Sequence, residues 1–78
     1  MYIAFVFFNA DPGKERDVLK YFNGLPEVKE AHLTYGAYDG VARVEEETMD
    51  KLKEVLTWKV RRHDSLRSTV TFFVAYEV

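Results

Sequence analysis

Cysteine is absent from this 78-residue chain, histidine occurs only as His32 and His63, and neither sign of charge dominates. Without cysteine there is no disulfide to support a small fold. The two histidines stand far apart with no paired spacing, so no metal set is expected. Eleven basic residues against 13 acidic ones give a net charge of −2, whereas a nucleic-acid binder usually carries a basic stripe. No direct DNA or RNA binding is expected. Long apolar runs are missing as well, since none approaches the roughly 20 residues of a membrane helix. The run from Met1 to Phe8 lacks a basic start and meets Asn9 and Asp11 at once, unlike a secretory signal. The expectation is a cytoplasmic chain with no membrane partner, forming one domain over residues 1–78 with no interior linker. A chain this short buries only about 60% of its unfolded surface, so self-association is the remaining support for stability.

What is present is strongly patterned. Tyr2 to Phe8 is β-branched and aromatic and stops at Asn9-Ala10-Asp11-Pro12-Gly13, which predicts a strand. Asp11 is then expected to cap a helix with Pro12 at its first position, and Val18, Leu19 and Phe22 form its apolar stripe. Gly24 and Pro26 end it. Val28 to Tyr35 and Gly40 to Val44 predict two strands joined by a short connection. Glu45 to Thr48 suits a helix start, and Met49, Leu52, Val55, Leu56 and Val60 recur at helical steps to about Arg62. Trp58 is expected to pack or to make an oligomer contact, and Arg61-Arg62 to face solvent at the helix end. Arg67 to Tyr76 predicts the last strand. The order β-α-β-β-α-β is the ferredoxin-like arrangement, an α+β sandwich with a four-stranded antiparallel sheet.

In such a sandwich one sheet face meets helices and the other meets water, so strands should alternate. Here Ile3, Phe5 and Phe7 oppose Tyr2, Ala4, Val6 and Phe8, while Val70, Phe72, Val74 and Tyr76 oppose Thr71, Phe73 and Ala75. Both faces are apolar. The expectation is a homodimer in which two sheets cover each other, the pairing of a dimeric α/β barrel. An RNA platform would use such aromatics too, but the basic, glycine and aromatic run of those strands is missing.

Thr34 to Val44 reads TYGAYDGVARV, richer than turn chemistry requires. Gly36 and Gly40 supply positive φ or close approach, and Asp39 satisfies turn N–H groups. Tyr35 and Tyr38 add rings with one polar end, suited to interfaces and pockets. Free amides beside Gly36, an aromatic wall and the Asp39 carboxylate together fit a zwitterion.

The runs Asp11-Pro12-Gly13-Lys14-Glu15, Leu25-Pro26-Glu27-Val28, Tyr35-Gly36-Ala37-Tyr38-Asp39 and Arg67-Ser68-Thr69-Val70-Thr71 stand in order across essentially the whole chain. They resemble the amino-acid-binding domain of the leucine-responsive/asparagine regulator family (Lrp/AsnC), also called the RAM domain. That resemblance implies sheet-paired dimers that assemble into tetramers, octamers or larger rings, with an amino-acid effector between dimers. It also implies that Gly36, Ala37 and Tyr38 offer backbone groups and a wall, that Asp39 holds the ammonium, and that Ser68, Thr69 and Thr71 contribute hydroxyls. Thr69 and Thr71 share one face of the last strand and Ser68 lies on the other, so all three converge only if two subunits contribute. Full regulators of this family carry a helix-turn-helix domain, whereas this chain opens on its first strand. The expectation is therefore a stand-alone sensing module that modulates full-length regulators by mixed assembly. Where the family commonly has Pro-Gly-Val before the last strand, this chain has Asp64-Ser65-Leu66.

The competing expectation is a small dimeric α/β-barrel enzyme acting on a small organic molecule, since fold alone does not separate the two. No nucleophile, base and orienting group meet the requirements of catalysis, and a lone strand histidine such as His32 is more often structural. No catalytic residue, metal or cofactor is expected.

Overall fold

Four strands and two helices build the computed structural model, which describes residues 1–75. In chain order they are β1 (Tyr2–Ala10), α1 (Glu15–Asn23), β2 (Val28–Leu33), β3 (Gly40–Glu46), α2 (Met49–Trp58), a 3₁₀ turn (Val60–Arg62) and β4 (Leu66–Phe73). The sheet order is β2-β3-β1-β4, with every neighbouring pair antiparallel. This is the expected ferredoxin-like α+β sandwich. Tyr76, assigned to the last strand from sequence, lies outside the described residues.

Alternation along β1 explains the layering, because successive side chains of a strand point to opposite faces. Ala4, Val6, Phe8 and Ala10 are buried on the helix side with Val28, Ala42 and Val44. Val18 and Phe22 of α1, Leu52, Val55 and Leu56 of α2, and Val60 close the core above them. The Phe8 and Phe22 rings meet edge to face at 4.9 Å between centroids, a preferred aromatic geometry. Burying each large side chain contributes about 1.5–3 kcal/mol relative to exposure.

Strand ends shift by one to three residues from the sequence expectations, β1 running on to Ala10, β2 stopping at Leu33 and β4 spanning Leu66–Phe73, and three further departures have clear causes. Pro12 does not open α1; the Lys14 N–H donates to the Asp11 carbonyl at 2.9 Å and Gly13 takes φ +83°. Proline followed by a left-handed glycine suits the two central positions of a type II turn, so the helix begins only at Glu15, without a side-chain cap. Glu45 and Glu46 extend β3, where β1 supplies partners as far as Tyr2, and Thr48 alone caps α2 by accepting from Lys51 N–H at 3.2 Å. Finally, α2 stops at Trp58 and tightens into the 3₁₀ turn holding Arg61 and Arg62.

The sheet face away from the helices is divided. Its β1 and β4 half carries Phe5, Phe7, Val70 and Phe72, with Phe72 58% exposed and ring-to-edge against Phe7 at 5.8 Å. Its β2 and β3 half is charged. Arg43 donates to Glu30 at 2.8 Å and also pairs with Glu45, while His32 lies 2.9 Å from Glu30. The second apolar face expected of the first and last strands is present on both, and the charged half belongs to the two strands for which no such face was expected.

Candidate functional site

Antiparallel pairing brings several chain ends together. β1 and β2 run one way while β3 and β4 run the other, so the ends of β1 and β2 and the starts of β3 and β4 share one edge of the sheet. Residues 34–39 connect β2 to β3 there, and α1 starts nearby after the turn at Gly13.

Asp39 ties this connection to β1. Its Oδ2 accepts from Ala10 N–H at 2.9 Å, and its own N–H donates to the Phe8 carbonyl at 2.9 Å and to Asn9 Oδ1 at 3.0 Å. Its carbonyl accepts from Thr34 N–H at 2.8 Å, and Thr34 Oγ1 donates to the Tyr38 carbonyl at 2.8 Å. Gly36, at φ +134°, adopts a conformation open to glycine and strained for other residues. Gly40 is required for a different reason: a Cβ there would sit 2.2 Å from Phe8 Cζ and 2.7 Å from the His32 carbonyl oxygen. The tip is anchored at both ends, yet the N–H groups of Tyr35, Gly36, Ala37 and Tyr38 find no acceptor among the described residues.

Two open clefts flank the anchor. One of about 560 Å³ is lined by Asn9, Ala10, Pro12, Glu15, Asp39, Arg67 and Ser68. The other, about 450 Å³, is lined by Glu15, Arg16, Leu33, Thr34, Tyr35 and Asp39. Both fall in the size range of small-molecule sites. Within the first, Asn9 Nδ2 donates weakly to Ser68 Oγ at 3.4 Å, and Arg67 stands 3.8 Å from Asp11, a loose pair that leaves its guanidinium open to solvent.

Of the residues singled out from sequence, Tyr35, Asp39 and Ser68 line these clefts, while Gly36 and Ala37 form the exposed tip. Tyr35 is fully exposed. Tyr38 is half-buried, its ring 5.9 Å from that of Phe7, so it joins the tip to the apolar half of the open face. Thr69 and Thr71 lie opposite Phe8 and Val6 on the helix side of β4, and Ser68 lies opposite Asn9 on the other side. They do not share a cleft with Ser68 in one subunit. The Thr71 hydroxyl is buried without a hydrogen-bond partner among the described residues.

Sequence reasoning did not single out Asn9, Glu15, Arg16 or Arg67. Their signal was topological, because each stands at or beside an element end that this fold brings to the same edge. His32 is away from the clefts, on the open face, where its hydrogen bond and then that of Arg43 hold the Glu30 carboxyl below its usual pKa. At the opposite edge, Lys59 Nζ reaches Glu27 at 2.6 Å, lowering the Glu27 pKa and raising its own. No group of three metal-ligating side chains occurs among the described residues.

Residues 3–78 match the family model for the Lrp/AsnC ligand binding domain. An uncharacterised helix-turn-helix type transcriptional regulator of Pyrococcus abyssi is 32% identical over 69 residues, which are 88% of this chain and 44% of that protein. The chain thus spans less than half the length of this curated relative. A solved hypothetical protein of Pyrococcus horikoshii, PHS023, superposes with a TM-score of 0.92 at 36% identity, covering 99% of this chain and 93% of its own. A transcriptional regulator of Neisseria meningitidis, solved as an L-methionine complex, shares the fold at a TM-score of 0.85 and 16% identity, over 99% of this chain and 51% of its own.

Proposed function

Because the chain belongs to the Lrp/AsnC ligand-binding domain family, we propose that it is an effector-sensing unit that binds an amino-acid-type molecule at the β2–β3 connection. One observation carries this most directly: a tip anchored by Asp39 leaves four amides free beside clefts lined by carboxylates and arginines. Free amides suit a carboxylate, and acidic side chains suit an ammonium. The methionine complex of the Neisseria regulator supports the same ligand class. Gly36, Ala37 and Tyr38 then supply backbone groups and a wall, Tyr35 an exposed ring at the second cleft, and Asp39 the ammonium contact through its second oxygen. Ser68 belongs to the same subunit's cleft, whereas Thr69 serves a ligand only across a subunit boundary and the Thr71 hydroxyl, buried on the helix side, takes no part.

The working form is a homodimer through the open sheet face, assembling further through the tips. Phe5, Phe7, Val70 and Phe72 form a continuous apolar half-face, and exposed patches of that kind mark association surfaces. The ligand acts by favouring one assembly over another, and through assembly it modulates full-length regulators. The role is regulatory rather than catalytic.

Thermal shift against the twenty amino acids, with light scattering on the same samples, tests the sensor role. One class of amino acid should raise the melting temperature by mass action and change the assembly mass. No shift at millimolar ligand defeats it. Phe72→Asp should yield a monomer in sedimentation; an unchanged dimer places the interface elsewhere.

A further inference from the structure

The two clefts share a wall, and their charges differ on either side of it. Glu15 and Asp39 line both clefts, Arg67 lines only the first, and Arg16 only the second. A ligand that touches both clefts can therefore draw on the two shared carboxylates and on one guanidinium from each cleft, that of Arg67 standing 3.8 Å from Asp11. An amino acid with a single carboxylate satisfies one arginine and leaves the other facing solvent or an apolar side chain. A cationic side chain in the second cleft would approach Arg16, with no third carboxylate lining that cleft to offset it. An amino dicarboxylate matches the pattern: its ammonium lies at the acidic wall, its α-carboxylate at one guanidinium and its side-chain carboxylate at the other. Arginine favours this role because its planar fork takes a carboxylate in bidentate fashion. Leu33 and Tyr35 supply apolar surface for the intervening methylenes.

We propose that the effector is an acidic amino acid of the glutamate or aspartate class, bound across the Glu15 and Asp39 wall with its two carboxylates on Arg67 and Arg16. This rests on the sensing role proposed above.

Calorimetric titration of the full chain with L-glutamate, L-aspartate, L-glutamine, L-leucine and L-lysine tests it. The dicarboxylates should bind at least about tenfold more tightly than leucine or lysine, with glutamine between, tenfold corresponding to about 1.4 kcal/mol. Arg16→Gln should remove about tenfold of the glutamate affinity while changing leucine affinity less than about twofold. Arg16 is exposed on the first turn of α1, so this substitution leaves the fold in place, as a circular dichroism melt checks. Tighter binding of leucine or lysine overturns the assignment and leaves the sensing role standing. Unchanged glutamate affinity in Arg16→Gln overturns the placement of the second carboxylate. Binding of none of the five, nor of any other amino acid, overturns the sensing role itself.

Discussion

Replacing Asp39 tests anchoring and ligand binding separately, provided two variants are compared. Asp39→Ala removes the acceptor that Ala10 N–H finds at 2.9 Å. A hydrogen bond to a charged group contributes about 1.5–3 kcal/mol net, and stranding a partly buried donor costs about 1–3 kcal/mol; these describe one loss, so about 2 kcal/mol is the expected destabilisation. At about 4–8 °C per kcal/mol for a domain this size, the melting temperature falls by about 8–16 °C. The Asp39 N–H bonds to the Phe8 carbonyl and Asn9 Oδ1 survive, since they start from the main chain. Asp39→Asn keeps an oxygen at the same reach and removes the charge, so its stability cost should stay below about 1 kcal/mol. Its amino-acid affinity should fall by about 2 kcal/mol, roughly thirtyfold, because an ammonium loses its counter-charge. Urea denaturation followed by circular dichroism at fixed protein concentration measures the first quantity, and calorimetry the second. Asp39→Ala within 0.5 kcal/mol of the parent, taken as about the scatter of neutral surface changes, refutes the anchoring. Full affinity in Asp39→Asn refutes the ammonium contact.

Gly40→Ala should lose about 2 kcal/mol or more in urea unfolding, because the new methyl meets the His32 carbonyl as well as the Phe8 ring, and the carbonyl is held in the β2–β3 ladder; parental stability would mean that the strands shift freely. Thr48→Ala removes the cap of α2 and should cost about 1 kcal/mol, while Thr48→Asp should restore it. Glu27 has a folded-state pKa held below the ordinary value, first by the Lys59 hydrogen bond. A depressed carboxylate adds stability above its unfolded pKa of about 4.3, and that stability disappears as pH falls through the folded value. The stability gap between the parent and Glu27→Gln should therefore shrink below roughly pH 4.5, and a gap independent of pH would exclude the ion pair as its source.

Much of the fold was legible in the chain because its periodicities are strong. β1 and β4 carry β-branched and aromatic runs, α2 keeps helical spacing from Met49 to Val60, and glycine or proline separates the early elements. Missed boundaries have local causes. Pro12-Gly13 satisfies a helix start and a type II turn equally well on paper, and the positive φ of Gly13 selects the turn. Glu45 and Glu46 look like helix-start residues, but pairing with Ile3 and Tyr2 keeps them in β3. Secondary preference is weak beside an available ladder partner.

The site was legible only in part. Tyr35 to Asp39 stands out by composition, since two tyrosines, two nearby glycines and a carboxylate crowd a short connection. Asn9, the adjacent pair Glu15 and Arg16, and Arg67 carry no such mark, coming from three distant stretches of chain, with Glu15 and Arg67 entering only as members of the runs that carry the family resemblance. The sequence by itself determined the element order, the apolar faces and the unusual tip, because those depend on neighbours a few residues away. Only the tertiary structure decided which polar groups share a cleft, that Ser68 parts from Thr69 and Thr71, and that Asp39 spends one oxygen on Ala10. Antiparallel pairing brings residues from four separate segments to one sheet edge, and such long-range placement is set by register and strand direction, which no local window contains.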